Sequence, residues 1–463
     1  MQYVSTRGTA PQIGFCDVLL AGLARDGGLY VPESWPKLEK FRGGDVATTY
    51  AQRAASIMAP FVGGEIDQQV FERLCVEAYS TFRNTEVAPL VEISQNEYLL
   101  ELFHGPTLAF KDVALQLVGK LFDHVLAQRN ERVMIVGATS GDTGGAAFDG
   151  VASCRNVDIV MLYPNNRVSD VQRRQMTTLT AKNVHAVAVD GTFDDCQDLV
   201  KAMFNDQKFR DANQLSAVNS INWVRVMAQV VYYFTALEKL GRSAVFSVPT
   251  GNFGNVLAGW IAKQMGAPID GFVVASNKND ILTRFFESKK MTANEVVPTL
   301  SPSMDIQVSS NFERLIFEMN NRDGIATAKQ LVEFRSTGEL NVAVGSYQKW
   351  ISGVFVGRRC DDEDTLATMR DVYKKSGMLI DPHTAVGLSA ARQSAGVDYP
   401  KEVPMITLAT AHPAKFPDAV RRATGETPKL PEHLADLMSR PERSVSLPND
   451  LKAVQAFVAG CRN

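Results

Sequence analysis

Three times in this chain a short apolar run breaks directly into a turn of small residues. Val133-Met134-Ile135-Val136 runs into GATSGDTGG, Ala244-Val245-Phe246-Ser247-Val248 into PTGNFGN, and Met405-Ile406-Thr407-Leu408-Ala409 into Thr410-Ala411-His412-Pro413. Further apolar runs at 157–163, 184–189 and 272–275 are separated by helical stretches such as 223–240. Uninterrupted apolar strands with helices between them bury both faces of a sheet. The pattern therefore predicts an α/β fold of parallel twisted sheets flanked by helices. Ligands of such sheets bind at the carboxyl ends of the strands, where all three loops fall.

The chemistry of the loops narrows the ligand. In GATSGDTGG the small residues let backbone N–H groups approach an anion, and a following helix adds its dipole. A nucleotide-binding P-loop needs lysine where Asp142 stands, and no GxGxxG occurs in the chain. TGNFGN is neutral, so its own N–H groups would have to hold a phosphate. Either loop could also be no more than a tight turn.

A lysine supplies the missing reactivity. Lys111 sits in ELFHGPTLAFKDVALQL, after the turn Phe103-His104-Gly105-Pro106-Thr107 and before helical periodicity at Leu117, Val118, Leu121, Phe122 and Val125. An ordinary lysine, with a pKa of about 10.4, is a poor nucleophile at neutral pH; burial beside Leu108 and Phe110 would lower it. A reactive lysine, a phosphate cradle and a strand-end hydroxyl at Thr410 together match a cofactor with an aldehyde and a phosphate, pyridoxal phosphate.

With 463 residues the chain has room for about three domains, and a net charge of −3 leaves no footprint for nucleic acid or an anionic membrane. The six cysteines (Cys16, Cys75, Cys154, Cys196, Cys360, Cys461) form no CxxC pair. That spacing suits a reducing compartment and argues against structural zinc, so no metal is expected. The amino terminus lacks an apolar signal region and no stretch approaches about 20 apolar residues, which predicts a cytoplasmic protein. It is expected to be a monomer or a homodimer. The region 286–380 shows few clear periods, and the tail from Thr427 reads as one or two surface helices.

Taken in order, YVSTRG, LAGLARDGGLYVPE, FHGPTLAFKD, GATSGDTGGAA, NSINWVRVMAQVVYY, PTGNFGN, NKNDILTRF and LATAHPAKFP resemble the threonine synthase family. The likeness is to its microbial and fungal branch, within the tryptophan-synthase-β-like (fold type II) pyridoxal-phosphate enzymes, and extends to about residue 425. It implies an N-terminal domain at 1–95, a large cofactor-binding domain at 96–124 and 216–425, and a small domain at 125–215. The tail, 426–463, is expected to pack on the large domain.

The same resemblance implies a lyase acting on O-phospho-L-homoserine, with Lys111 as Schiff-base lysine. Gly251, Asn252, Phe253 and Asn255 would hold the cofactor phosphate, and Thr410 would face the pyridine nitrogen. The family often carries Asp at the position of Asn255, so this chain removes a negative charge beside the phosphate. Thr139, Ser140, Gly141, Asp142 and Thr143 would bind the substrate carboxylate. Asn219, Ser220, Asn222 and Arg225, and after them Lys278, Asn279, Asp280 and Arg284, would take the substrate phosphate. Serine or threonine dehydratases and cysteine synthases share this fold without a second anion site, and a non-catalytic relative would have had no need to keep Lys111, Thr410 and both loops.

Overall fold

The computed structural model describes residues 1–38 and 48–461. Its larger sheet has six strands, in the order Phe355–Arg359, Ile269–Ser276, Ala244–Pro249, Met405–Ala409, Glu97–Glu101 and Leu90–Ser94. The pairings are parallel except for the hairpin Leu90–Ser94/Glu97–Glu101 at one edge. Every residue of Ala244–Pro249 and Met405–Ala409 is buried, as strands covered by helices on both faces must be.

The smaller sheet runs Val445–Pro448, Val184–Asp190, Val157–Pro164, Val133–Ala138 and Leu215–Ser216, and is parallel throughout. The helices Lys111–Arg129 and Asp142–Val151 join the two units. Gly119 and Gly150 let them touch backbone to backbone: a Cβ on Gly119 would stand 1.9 Å from Gly150 O, and one on Gly150 2.4 Å from Leu115 O. The helix Trp223–Leu240 is buried along nearly its whole length. Each of its large apolar side chains contributes about 1.5–3 kcal/mol by leaving water.

The amino-terminal unit docks on that helix. Tyr3, in a strand Tyr3–Ser5 paired with Tyr30–Pro32, donates its hydroxyl to Phe61 O at 2.7 Å and accepts from Trp223 Nε1 at 3.1 Å. Arg7 pairs with Glu313 at 3.0 Å, anchoring the unit to the segment with few sequence periods. That segment contains the helices Phe312–Met319, Gly324–Thr337, Val344–Trp350 and Asp362–Ser376, and the edge strand Phe355–Arg359.

The domain boundaries need three corrections. A division at residue 95 would split the hairpin Leu90–Ser94/Glu97–Glu101, so the first unit ends before Leu90. One at residue 124 would fall inside the continuous helix Lys111–Arg129. The tail packs chiefly on the small unit rather than the large one: Val445–Pro448 adds a parallel strand to Val184–Asp190, and Val454 and Val458 are buried with Val187, Val189 and Leu199. Glu442 pairs there with Arg174 at 3.2 Å and also with Arg173. Residues 39–47 and 462–463, within the outer units of the expected division, lie outside the described residues.

Candidate active site

Glu97–Glu101, Met405–Ala409 and Ala244–Pro249 are neighbours in the large sheet, so their carboxyl ends deliver three segments to one place. The first leads through residues 103–110 to Lys111. Leu108 takes a left-handed φ of 64° in this stretch, a strained conformation for a branched side chain. Its side chain is buried with Val171, Leu434 and Leu437, and its carbonyl accepts from His412 N at 3.0 Å. Thr410 O accepts from Phe110 N at 2.9 Å, which ties the strand-end threonine to the residue before Lys111.

Lys111 opens its helix and is buried, with its ammonium 5.0 Å from the centre of the Phe110 ring. Burial holds its pKa below the ordinary lysine range; Lys415 and Arg225 push the same way, and Asp142 opposes them. Asp112, the next residue, accepts from Thr107 N at 2.9 Å and Thr107 Oγ1 at 2.6 Å. Its complete burial raises its pKa to about 7.

The second segment is the glycine loop. Phe253 is left-handed at φ 61° and puts its ring against Phe312, 5.0 Å between centres, so only its backbone can face a ligand. A Cβ on Gly251 would come within 2.7 Å of Ser303 O, so only glycine fits there. Asn252 O accepts from Asn311 N at 3.1 Å. Asn255 accepts at Oδ1 from the hydroxyls of Tyr232 and Tyr233, while its Nδ2 is buried and has no partner among the described residues. The first N–H groups of the helix Gly254–Met265 have no intrahelical acceptors and collect at this loop.

A further segment comes from the small sheet, beyond Val133–Ala138. Thr139 Oγ1 accepts from Gly141 N and Gly144 N, both at 2.9 Å, which shapes the turn, and Gly141 has φ 138°. Ser140 is exposed and Thr143 partly so. Asp142 departs from the expectation for this loop. Its Oδ2 lies 3.2 Å from Lys111 Nζ and its Oδ1 2.9 Å from Lys415 Nζ, and Gln172 Nε2 donates to Oδ1 at 2.9 Å. Burial would raise its pKa, but the two ammonium groups hold it well below the usual carboxylate range. A carboxylate so paired cannot donate to a substrate carboxylate; only the loop's N–H and hydroxyl groups can.

Of the residues expected to take a second anion, Arg225 stands apart. It is buried, donates from Nη1 to Val218 O at 3.1 Å, leaves Nε without a partner, and forms no ion pair among the described residues. Burial alone lowers its pKa to about 10. Ser220 O receives Asn311 Nδ2 at 3.0 Å, beside the glycine loop, and Asn219 is exposed.

The other expectations for this group are corrected. Asn222 caps its helix, donating to Leu19 O and accepting from Val224 N, both at 3.0 Å. Lys278 is exposed, and Asn279 is engaged by Asn277, Val297 and Asp305. Asp280 and Arg284 pair with each other at 2.8 Å, an ordinary helical ion pair.

Three family models match the chain. Residues 2–79 match the model described as threonine synthase N terminus, 81–333 that of pyridoxal-phosphate dependent enzymes, and 384–458 that of the threonine synthase C-terminal region. Threonine synthase from Pseudomonas aeruginosa is 53% identical, over 99% of this chain and 98% of the relative. The chain belongs to the threonine synthase family. The C-terminal match carries the likeness past residue 425 into the tail. The pyridoxal-phosphate-bound threonine synthase from Brucella melitensis superposes with a TM-score of 0.96 at 51% identity, covering 100% of both chains. The yeast threonine synthase gives 0.93 at 38% identity, covering 99% of this chain and 98% of the other.

Two groups of residues at the threonine synthase site escaped sequence reasoning. Lys415 is wholly buried and donates to Thr107 O at 2.7 Å and Gln175 Oε1 at 2.9 Å as well as to Asp142. The one signal for it was a lysine set among apolar residues in AHPAKFP. Asp381, His383 and Ser303 form the other group: Asp381 Oδ1 lies 2.8 Å from His383 Nδ1, and His383 Nε2 accepts from Ser303 N at 3.2 Å. They fix the turn that faces Gly251, and nothing in their separate sequence positions announced it.

Proposed function

We propose that this chain is a pyridoxal-phosphate-dependent threonine synthase, converting O-phospho-L-homoserine and water to L-threonine and inorganic phosphate. The observation that carries the reading is a pair of buried cations at one site, Lys111 with its depressed pKa and Arg225 with no counter-ion among the described residues. A dehydratase of the same fold needs the first and has no use for the second. The residues fit the cofactor: an amine for its aldehyde, an unpartnered Asn255 Nδ2 and helix N–H groups for its phosphate, and Thr410 for its ring nitrogen.

Pyridoxal phosphate, when bound, supplies the electron sink for charge left at the substrate's reacting carbons. The protein supplies position and protons. The N–H groups of Ser140, Asp142 and Thr143 hold the substrate carboxylate, and Arg225 holds its phosphate and the phosphate it releases. Lys111 Nζ would hold the cofactor and, as free amine, take the proton from the substrate α-carbon. Proton transfers at the neighbouring carbons follow from the same nitrogen, because one mobile base reaches them all. Water is added at Cβ after phosphate has left Cγ. All these groups come from one chain, so the reading requires no second copy. Six buried, unpaired cysteines support a reducing, cytoplasmic setting. Among the described residues no helix is long and apolar enough to cross a membrane.

The test is phosphate release from O-phospho-L-homoserine with threonine identified as co-product. Wild type is expected to give both in equal amounts, and Lys111→Ala neither. A wild type that binds pyridoxal phosphate and leaves phosphohomoserine intact would refute the substrate assignment.

A further inference from the structure

Asp142 divides its two oxygens between two lysines. Oδ1 is taken by Lys415 and Gln172, each at 2.9 Å, and Oδ2 faces Lys111 at 3.2 Å with Ser303 Oγ at 3.5 Å. Lys415 is itself immobile, wholly buried and hydrogen-bonded to Thr107 O and Gln175 Oε1. It reaches from the strand-end loop of the large unit to two helices of the small one, Asp142–Val151 and Asp170–Thr177.

We propose that Lys415 is a positioning residue of the reaction: its ammonium holds Asp142 by Oδ1, keeps that carboxylate paired, and so lets Lys111 give up its proton beside it. This rests on the reading of Lys111 as the cofactor lysine and mobile base. A base must pass between ammonium and amine in every turnover. If Lys111 were the only partner of Asp142, each passage to the amine would strand a buried carboxylate, which is strongly unfavourable. With Lys415 in place an ion pair survives whichever form Lys111 takes.

The charges that act on Lys111 are few. Asp142 favours its ammonium form, and Lys415 and Arg225 favour the amine. Asp112 follows it on the same helix, accepting from Thr107 and feeling the charge of Lys415, and His412, between Thr410 and Lys415 in sequence, is held neutral by burial, its pKa lowered to about 4. Gln172, Gln175 and Ser303 complete the contacts of the Asp142–Lys415 pair and carry no charge. Removing Lys415 takes away one group that favours the amine and leaves Asp142 wholly to Lys111. Both changes raise the pH at which Lys111 becomes a nucleophile.

The experiment compares wild type, Lys415→Met, Lys415→Arg and Asp142→Asn in two readouts. One is the pH dependence of kcat/KM of the holoenzyme. The other is the pH dependence of pyridoxal phosphate uptake by cofactor-stripped protein, fixed with borohydride and counted on the Lys111 peptide by mass. For Lys415→Met the midpoint of uptake and the acid limb of kcat/KM are both expected to rise by roughly one pH unit or more. Lys415→Arg should restore most of the shift, and Asp142→Asn should move the uptake midpoint down. A Lys415→Met protein with the wild-type midpoint would overturn the proposal and reduce Lys415 to a structural tie. If that variant does not fold, an unmoved midpoint in Asp142→Asn refutes it equally. Failure to trap the cofactor on Lys111 in wild type would instead sink the reading of Lys111, and the proposal with it.

Discussion

Gly119→Ala tests whether the join between the two units sets the geometry of the active lysine. Gly119 lies eight residues beyond Lys111, and Gly150 eight beyond Asp142, so the two helices run side by side from the ion pair to the glycine contact, about 12 Å away. The new methyl would stand 1.9 Å from Gly150 O, where ordinary contact begins at 3.4 Å, so the helices must part by roughly 1.5 Å. Both colliding groups belong to helix backbones, and no rotamer relieves them. Overpacking of this kind costs about 1–3 kcal/mol, and the upper end applies to a rigid contact. The better helix propensity of alanine offsets up to about 1 kcal/mol, leaving about 2 kcal/mol of destabilisation.

The same movement would carry Lys111 Nζ out of hydrogen-bond reach of Asp142, now at 3.2 Å, and a 1 Å misplacement at a reacting group costs about 100-fold in rate. Thermal melts and kcat with phosphohomoserine measure the two effects. The expectation is a melting temperature lower by roughly 4 °C and kcat lower by about 100-fold. Gly345→Ala is the control: that glycine is exposed in the helix Val344–Trp350, with nothing within 4 Å of a Cβ, and the change should stabilise by about 0.5–1 kcal/mol. A Gly119→Ala protein that melts and turns over like wild type would show that this helix contact does not set the position of Lys111.

Three further perturbations probe separate parts. Asp112 has a folded pKa of about 7 against an ordinary 3.8, so its contribution is intact below about pH 4 and is lost as pH rises towards 7. At roughly 1.4 kcal/mol per pH unit that loss totals about 4 kcal/mol, so denaturant melts of Asp112→Asn should gain on wild type between pH 4 and 7; parallel curves would count against it. Arg225→Gln should lower kcat/KM for phosphohomoserine by roughly 10- to 100-fold, the worth of one charged hydrogen bond, with pyridoxal phosphate affinity unchanged. A drop confined to cofactor affinity would move Arg225 to the other phosphate. Val454→Ala should cost about 2 kcal/mol and speed amide exchange in Val184–Asp190 but not in Ala244–Pro249; equal acceleration in both strands would contradict the packing of the tail on the small unit.

The parts of the fold that the sequence disclosed are those where burial is complete. Ala244–Pro249 and Met405–Ala409 are apolar runs because both faces are covered, so their strands and loops could be read directly. Phe355–Arg359 and Val445–Pro448 lie at sheet edges and are short; the first mixes buried with exposed positions and the second is mostly exposed, so they carry no such run. Lys111 was legible because its neighbours in the chain are also its neighbours in space. Asp142 was legible only as part of a loop: its partner Lys415 lies 273 positions away, and no local pattern pairs them.

That distance explains the character of the correction at Asp142. A glycine-rich loop with one acidic residue reads as an anion site with Asp142 among its members, although an isolated carboxylate there would repel the ligand. The folded chain resolves the conflict differently, bringing Lys415 across from the large unit so that the acid is neutralised where it stands. The N–H groups of the loop that Thr139 Oγ1 does not take are then left for an anion, while the acid addresses Lys111. Two functions that compete in the sequence coexist because the two oxygens of one carboxylate face different ways.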